Sequence, residues 1–354
     1  MVTTKLINIV CLTLFVLSAC TQKDQISVGW IGPLSADYAL VGRENLRGVQ
    51  LALDELPAGA IQLLVEDDQY DETETLSAYQ KLVGTQDADA LLLVTYGGVL
   101  STAPLADAEQ KIIVSSVDTS DEIAKAGENI FGIGIYDEGI GYALADFTTQ
   151  KLNATKIGVL YNNVDPFVLL VLDSFKNRVG ENTTVLTEAY QPEDRDFRSQ
   201  LAKLKKVDAL LIIGFDEAGL AAKQAREVGI TTPLLGIDTV LSEGYKTNAA
   251  DAYEGMYFTS WTPSDKEKTK QFVKQYKSKF GEEPQQLLFA ATGYDAAKQL
   301  FLALLENRAT AKKQLSSLHT KGLTGELSMS PDGIVRSVEE KMHQIQMGQV
   351  VELS

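Results

Sequence analysis

Histidine and cysteine are scarce, with two of each in 354 residues. That removes most metal sites, which draw on clustered imidazoles and thiolates, and most catalysis that needs a histidine base. Basic residues are also short, 32 against 48 acids, for a formal charge of −16 at pH 7. A surface that negative repels phosphate, so nucleic acid is excluded as a partner. No segment reaches the about 18 consecutive apolar residues that suggest a membrane span. The chain also lacks a Gly-x-Ser-x-Gly elbow, a phosphate-binding Walker loop and a Cys pair. An enzyme is therefore the least expected class, and neither a cofactor nor a metal is expected. What remains is ordinary for a globular protein, 45% apolar and 23% charged. At about 150 residues per domain the length suggests two domains.

The N-terminus reads as an export signal. Lys5 precedes an apolar run from Leu6 to Leu17, broken only by Asn8 and Thr13, and Ser18-Ala19-Cys20 follows. The run is too short to span a bilayer and ends in small residues, as a secretory signal peptide does, here over residues 1–19. Leu17-Ser18-Ala19-Cys20 resembles a bacterial lipobox, in which Cys20 is lipidated and opens the mature chain. The alternative is an ordinary signal whose cysteine is incidental. Because Cys11 leaves with the signal, the mature protein keeps only Cys20 and forms no internal disulfide. The expectation is an exported protein held to a bacterial membrane by its lipid alone, in the periplasm or on the outer face of the cell membrane.

From Ile26 onward short apolar runs alternate with amphipathic stretches. The runs are Ile26–Trp30, Ile61–Val65, Ala90–Val94, Ile112–Val114, Lys156–Tyr161, Ala209–Ile213 and Pro233–Gly236. They are continuous rather than alternating, which suits strands buried on both faces of a parallel sheet. The stretches between them include Arg43–Leu56, Glu72–Val83, Gly139–Lys151, Phe167–Val179, Phe197–Lys206 and Glu217–Val228, each at helical periodicity. Strand and helix alternating this often predicts an α/β fold with helices on both sheet faces. A barrel fits less well than two doubly wound domains, because the units are too many and the later part turns helix-rich. The Gly132–Gly139 and Thr259–Ser264 segments are the candidate crossings between domains.

Ligands of open α/β sheets bind beyond the carboxyl ends of the strands. Two segments stand out there. In Tyr96-Gly97-Gly98-Val99-Leu100-Ser101-Thr102 the glycines let a ligand approach the backbone and Ser101 is placed to cap a following helix. In Ser115-Ser116-Val117-Asp118-Thr119-Ser120-Asp121-Glu122, Thr119 and Glu122 have capping-box spacing. Together they read as a cradle for one carboxylate, or simply as two capped helices. The acidic run Glu66–Glu72 lacks the spacing and central glycine of a calcium loop and reads as a solvated strand end.

Gly32-Pro33-Leu34-Ser35, Gly42, Gly48 and Leu51-Ala52-Leu53-Asp54-Glu55-Leu56 open a series of matches that spans nearly the whole mature chain. It continues through Glu66-Asp67-Asp68 with Tyr70-Asp71, Asp196-Phe197, Val207-Asp208-Ala209, Gln224–Gly229, Glu254-Gly255, Phe280-Gly281 with Pro284, and Tyr294-Asp295-Ala296. In order and spacing these resemble the branched-chain amino-acid (Leu/Ile/Val) binding proteins, type I periplasmic solute-binding proteins of ABC importers. The resemblance implies two doubly wound parallel-sheet lobes joined by three crossings, residues 20–135 plus 262–340 and residues 136–261 plus 341–354. It also implies a ligand in the cleft between them. Carried over by position, a bound amino acid's carboxylate meets Ser101, the Val117 backbone and Thr119, within the cradle that includes Gly98 and Thr102. Asp238 takes the ammonium, Phe167 and Phe215 close the cleft from the second lobe, and Tyr38 contributes from the first loop. Several positions depart from the family pattern: the stretch from Ser101 to Val114 is shorter than usual, and Asp238 is one methylene shorter than the glutamate common in relatives. Phe167 stands near where relatives place a tyrosine, and Asp118 puts an acid beside the carboxylate cradle. The implied function is delivery of an amino acid, an amide or a similar small polar solute to an ABC permease. The alternative is a ligand-sensing receptor of the same fold.

Overall fold

The computed structural model describes residues 25–35, 38–338 and 340–353, so the signal segment and Cys20 lie outside the described residues. In chain order the strands are β1 (Ile26–Gly32), β2 (Ile61–Asp67), β3 (Ala90–Leu93), β4 (Ile112–Ser115), β5 (Asp118–Thr119), β6 (Ile130–Gly132), β7 (Ile135–Tyr136) and β8 (Lys156–Asn162). There follow β9 (Thr184–Tyr190), β10 (Ala209–Ile213), β11 (Leu234–Gly236), β12 (Tyr257–Ser260), β13 (His319–Lys321), β14 (Glu326–Ser328), β15 (Lys341–Gln346) and β16 (Gln349–Glu352). One sheet has the order β2-β1-β3-β4-β6, parallel throughout. The other runs β16-β15-β12-β11-β10-β8-β9 and is parallel except where β15 pairs with β12 and β16. Each sheet reverses its strand order once, beside β1 and beside β8, which is the doubly wound arrangement. Among the described residues no helix is long and apolar enough to cross a membrane.

Burial explains which runs became strands. Every residue of β1, β3, β4 and β10 is buried, as continuous apolar runs covered by helices require. The edge strands β2 and β9 mix exposed and covered positions, since one side of each has no neighbouring strand. The helix Tyr96–Ala108 departs from expectation. Gly97, Gly98 and Pro104 all disfavour a helix, yet Tyr96, Val99, Ala103 and Ala106 form one buried face, and packing overrides propensity.

The chain passes between the sheets three times. It leaves β7 for the helix Asp137–Asp146, which packs on the helix Pro166–Arg178. It returns from β12 to the helix Lys266–Phe280, which packs on the helix Ala39–Asp54. The last passage lies between Val338 and Lys341. These passages are neighbours: the Tyr136 amide donates to the Val338 carbonyl at 3.1 Å, and Ser260 faces Lys341 in the β12–β15 register.

The helices Ala39–Asp54 and Leu287–Asn307 make the tightest approach in the first lobe. A Cβ on Gly48 would stand 1.9 Å from the Ala290 carbonyl oxygen, and one on Gly293 2.2 Å from that of Asn45. Backbone blocks both positions, so no side-chain rotation relieves the clash. Gly48→Ala is expected to cost about 3 kcal/mol of stability by overpacking, checked by urea unfolding.

Candidate functional site

The loops leaving the carboxyl ends of the two parallel sheets face each other across a cavity of 530 Å³. Tyr38, Tyr70, Thr95 and Asp118 wall it from the first lobe, and Phe167, Phe215 and Asp238 from the second. Asp137 and Glu340, which stand in two of the three crossings, complete the wall.

Aromatic rings bridge the lobes. Tyr38 stacks on Tyr70 with ring centres 4.0 Å apart, and Phe215 meets them edge-on at 4.8 and 6.2 Å. The Tyr70 hydroxyl donates to Asp165 Oδ2 at 3.2 Å. Asp165 is held in turn as the cap of the helix Pro166–Arg178, where its Oδ1 accepts from the Val168 amide at 3.1 Å. Tyr70 reaches the cleft because Gln69 and Tyr70 both take left-handed backbone angles, φ 54° and 64°. Two non-glycine residues in that region cost free energy unless neighbours enforce them. Asp67 Oδ1 accepts from the Gln69 amide and Asp68 Oδ1 from the Tyr70 amide, each at 3.0 Å. The acidic strand end is exposed at Asp67, Asp71 and Glu72, as expected, while its fully buried Asp68 joins Asp67 in bracing this loop.

Of the residues singled out from the sequence, Tyr38, Val117, Asp118, Phe167, Phe215 and Asp238 line the cavity. Gly98, Ser101, Thr102 and Thr119 do not, and the local structure accounts for each. The helix begins at Tyr96 rather than after Ser101, so the glycines form its first turn. A Cβ on Gly98 would meet the Thr95 and Thr75 side chains, not a ligand. The Ser101 and Thr102 hydroxyls donate back to the Gly98 carbonyl at 3.1 and 2.7 Å. Successive strand residues point to opposite faces, so β5 sends Asp118 to the cavity and Thr119 away from it. The buried Thr119 hydroxyl lies 2.8 Å from the Ile135 carbonyl and 3.0 Å from that of Val335, tying β5 to the segments that lead into the first and third crossings. Thus the expected carboxylate cradle is not assembled from these hydroxyls.

Tyr70, Asp137, Asp165 and Glu340 escaped the sequence reading. Tyr70 carried a signal, since it sits in the acidic strand end. Asp137 and Glu340 gave none, because they converge only when the crossings lie side by side.

The floor of the cleft is acidic and poorly satisfied. Asp137 is 1% exposed and Glu340 5%, and neither carboxyl has a hydrogen-bond partner in good geometry among the described residues. Burial pushes Asp137 well above the usual carboxylate range, and the charges of Asp118, Glu138, Glu340 and Asp238 push it further. Glu340 is raised by burial and then by Asp238. Asp118 is pushed up to about 8 by burial and by the charges of Asp165 and Asp238, against the pull of the Tyr96 amide. Asp238 is raised to about 6 by burial, opposed by its own amide and that of Thr239. Such a cluster attracts a cation and repels an anion.

A family model described as periplasmic binding protein matches residues 25–350. The chain is 24% identical over 253 residues to the Leu/Ile/Val-binding protein BraC3 of Rhizobium johnstonii, covering 68% of this chain and 69% of that one. The leucine binding protein LivK of Thermotoga maritima superposes with a TM-score of 0.84 at 23% identity, over 93% of this chain and 98% of its own. LivJ of Streptococcus pneumoniae, solved with isoleucine, superposes at 0.79 with 25% identity, over 92% and 97%. With the sheet orders, the three crossings and the cleft already described, the family match establishes that the chain belongs to the periplasmic binding protein family.

Proposed function

We propose that the protein captures a small polar solute outside the cytoplasm and hands it to the permease of an ABC importer, tethered meanwhile by a lipid on Cys20. The observation that carries this reading is the 530 Å³ cavity walled by both lobes. A solute placed there touches each lobe and favours the closed arrangement over the open one, which is the differential affinity that a ligand-driven closure requires. The bridging rings Tyr38, Tyr70 and Phe215 suit such a closure, being aromatic surface that separation of the lobes would expose to water. Asp238, at the carboxyl end of β11, supports a solute bearing an ammonium group. An amino acid or a related amine meets that requirement.

Thermal unfolding in the presence of zwitterionic, anionic and cationic small solutes tests the proposal. A solute that binds only the folded state, at a hundredfold excess over its Kd, stabilises it by about 2.7 kcal/mol. At least one class is expected to raise the melting temperature, and no shift with any of them contradicts a solute-binding role.

A further inference from the structure

We propose that the solute is a small organic cation that carries no carboxylate, its ammonium held at the cleft floor by Asp137 and Glu340 with the charges of Asp118 and Asp238 nearby, and its carbon chain lying along Tyr38 and Phe215. This rests on the solute-binding reading above and narrows it. Buried polar groups in a native protein almost always have partners. Here Asp137 and Glu340 both line the cavity, and their four buried carboxyl oxygens have no partner in good geometry among the described residues, the Thr259 hydroxyl standing beside Glu340. An ammonium supplies the missing donors and the missing charge at once. The aromatic wall beside the acids adds attraction for a cation and apolar contact for its carbons.

A carboxylate, by contrast, finds no welcome. At the N-terminal end of the helix Tyr96–Ala108 one amide, that of Tyr96, already donates toward the chain's own Asp118, whose charge there repels a second carboxylate. Of the residues lining the cavity one is basic, Arg195; it is exposed, and its guanidinium donates to the Pro192 and Asp194 carbonyls.

Binding of a cation favours the ionised acids, so it must release protons and tighten as pH rises. The titratable and charged groups around the floor are Asp118, Asp137, Glu138, Asp165, Asp238 and Glu340, with Tyr70 and Glu217 beside Asp165, Tyr38 beside Tyr70, and Asp121 and Arg336 beside Glu138. Isothermal titration with 1,4-diaminobutane, leucine, benzoate and calcium chloride at pH 6 and pH 8 tests the proposal. The diamine is expected to bind at least tenfold tighter than the other three, and about tenfold tighter at pH 8 than at pH 6. Asp137→Asn and Glu340→Gln are each expected to weaken it tenfold or more, with melting curves confirming that both variants fold. Tighter binding of leucine or benzoate than of the diamine overturns the cation assignment and leaves the solute-binding reading standing. Tighter binding of calcium overturns the organic class, and no binding by any of the four overturns this proposal and counts against that reading as well.

Discussion

Asp137→Asn is expected to raise the stability of the empty protein at pH 7, and Glu340→Gln to do the same. The sign follows from proton linkage. Both carboxyls have native pKa values well above those of an unfolded chain, so near neutral pH the native state holds protons that the unfolded state has lost. Each such group costs the native state about 1.4 kcal/mol per pH unit between its unfolded and folded pKa values. Stability of the empty wild type therefore falls as pH rises through neutrality, and Asp118 contributes until about pH 8. His343, pulled down by its burial, acts in the opposite sense below about pH 6.5, so the comparison belongs between pH 7 and pH 8. Denaturant melts at the two pH values check this. The wild type loses stability across that interval, and the amide variants lose less. Equal slopes in wild type and variants would remove Asp137 and Glu340 from the account.

Asp238→Asn keeps the side chain's shape and removes its charge. Truncating one partner of a buried charge pair typically costs about 2–5 kcal/mol, chiefly because the other charge is left stranded. A loss of about 30-fold or more in affinity for the bound amine is expected by isothermal titration. Asp118→Asn separates the ligand classes. For a cation without a carboxylate it weakens binding, since an attractive charge is lost from the floor. For a neutral zwitterion it leaves binding unchanged or improves it, because Asp118 sits at the helix end where the carboxylate would lie.

The fold was legible because the central strands are buried on both faces. Runs such as Ala209–Ile213 and Ala90–Leu93 have no solvent side and so carry no alternation, which is the mark of a parallel sheet. The edge strand Thr184–Tyr190 and the pair Lys341–Gln346 and Gln349–Glu352 passed unnoticed, since partial exposure leaves them no such run. Half of the site was legible for a related reason. Val117, Asp118, Phe215 and Asp238 follow strands at once, and strand ends can be located along a sequence. Ser101 was misplaced because Gly97-Gly98 reads as a loop, whereas the sheet beneath it holds those residues in a helix. Asp137 and Glu340 are about 200 residues apart in sequence and meet only through the pairing of the crossings. No local pattern encodes that meeting, yet it supplies the chemistry of the floor.

A crystal structure of the protein grown with 1,4-diaminobutane tests the central claim most directly. The account places one ammonium nitrogen at hydrogen-bond distance, about 3 Å, from carboxylate oxygens of Asp137 and Glu340, with the carbon chain against Tyr38 and Phe215 and the lobes closed over it. An amine bound outside the cleft, or a floor whose carboxyls remain unpartnered while the cleft is filled, would contradict it.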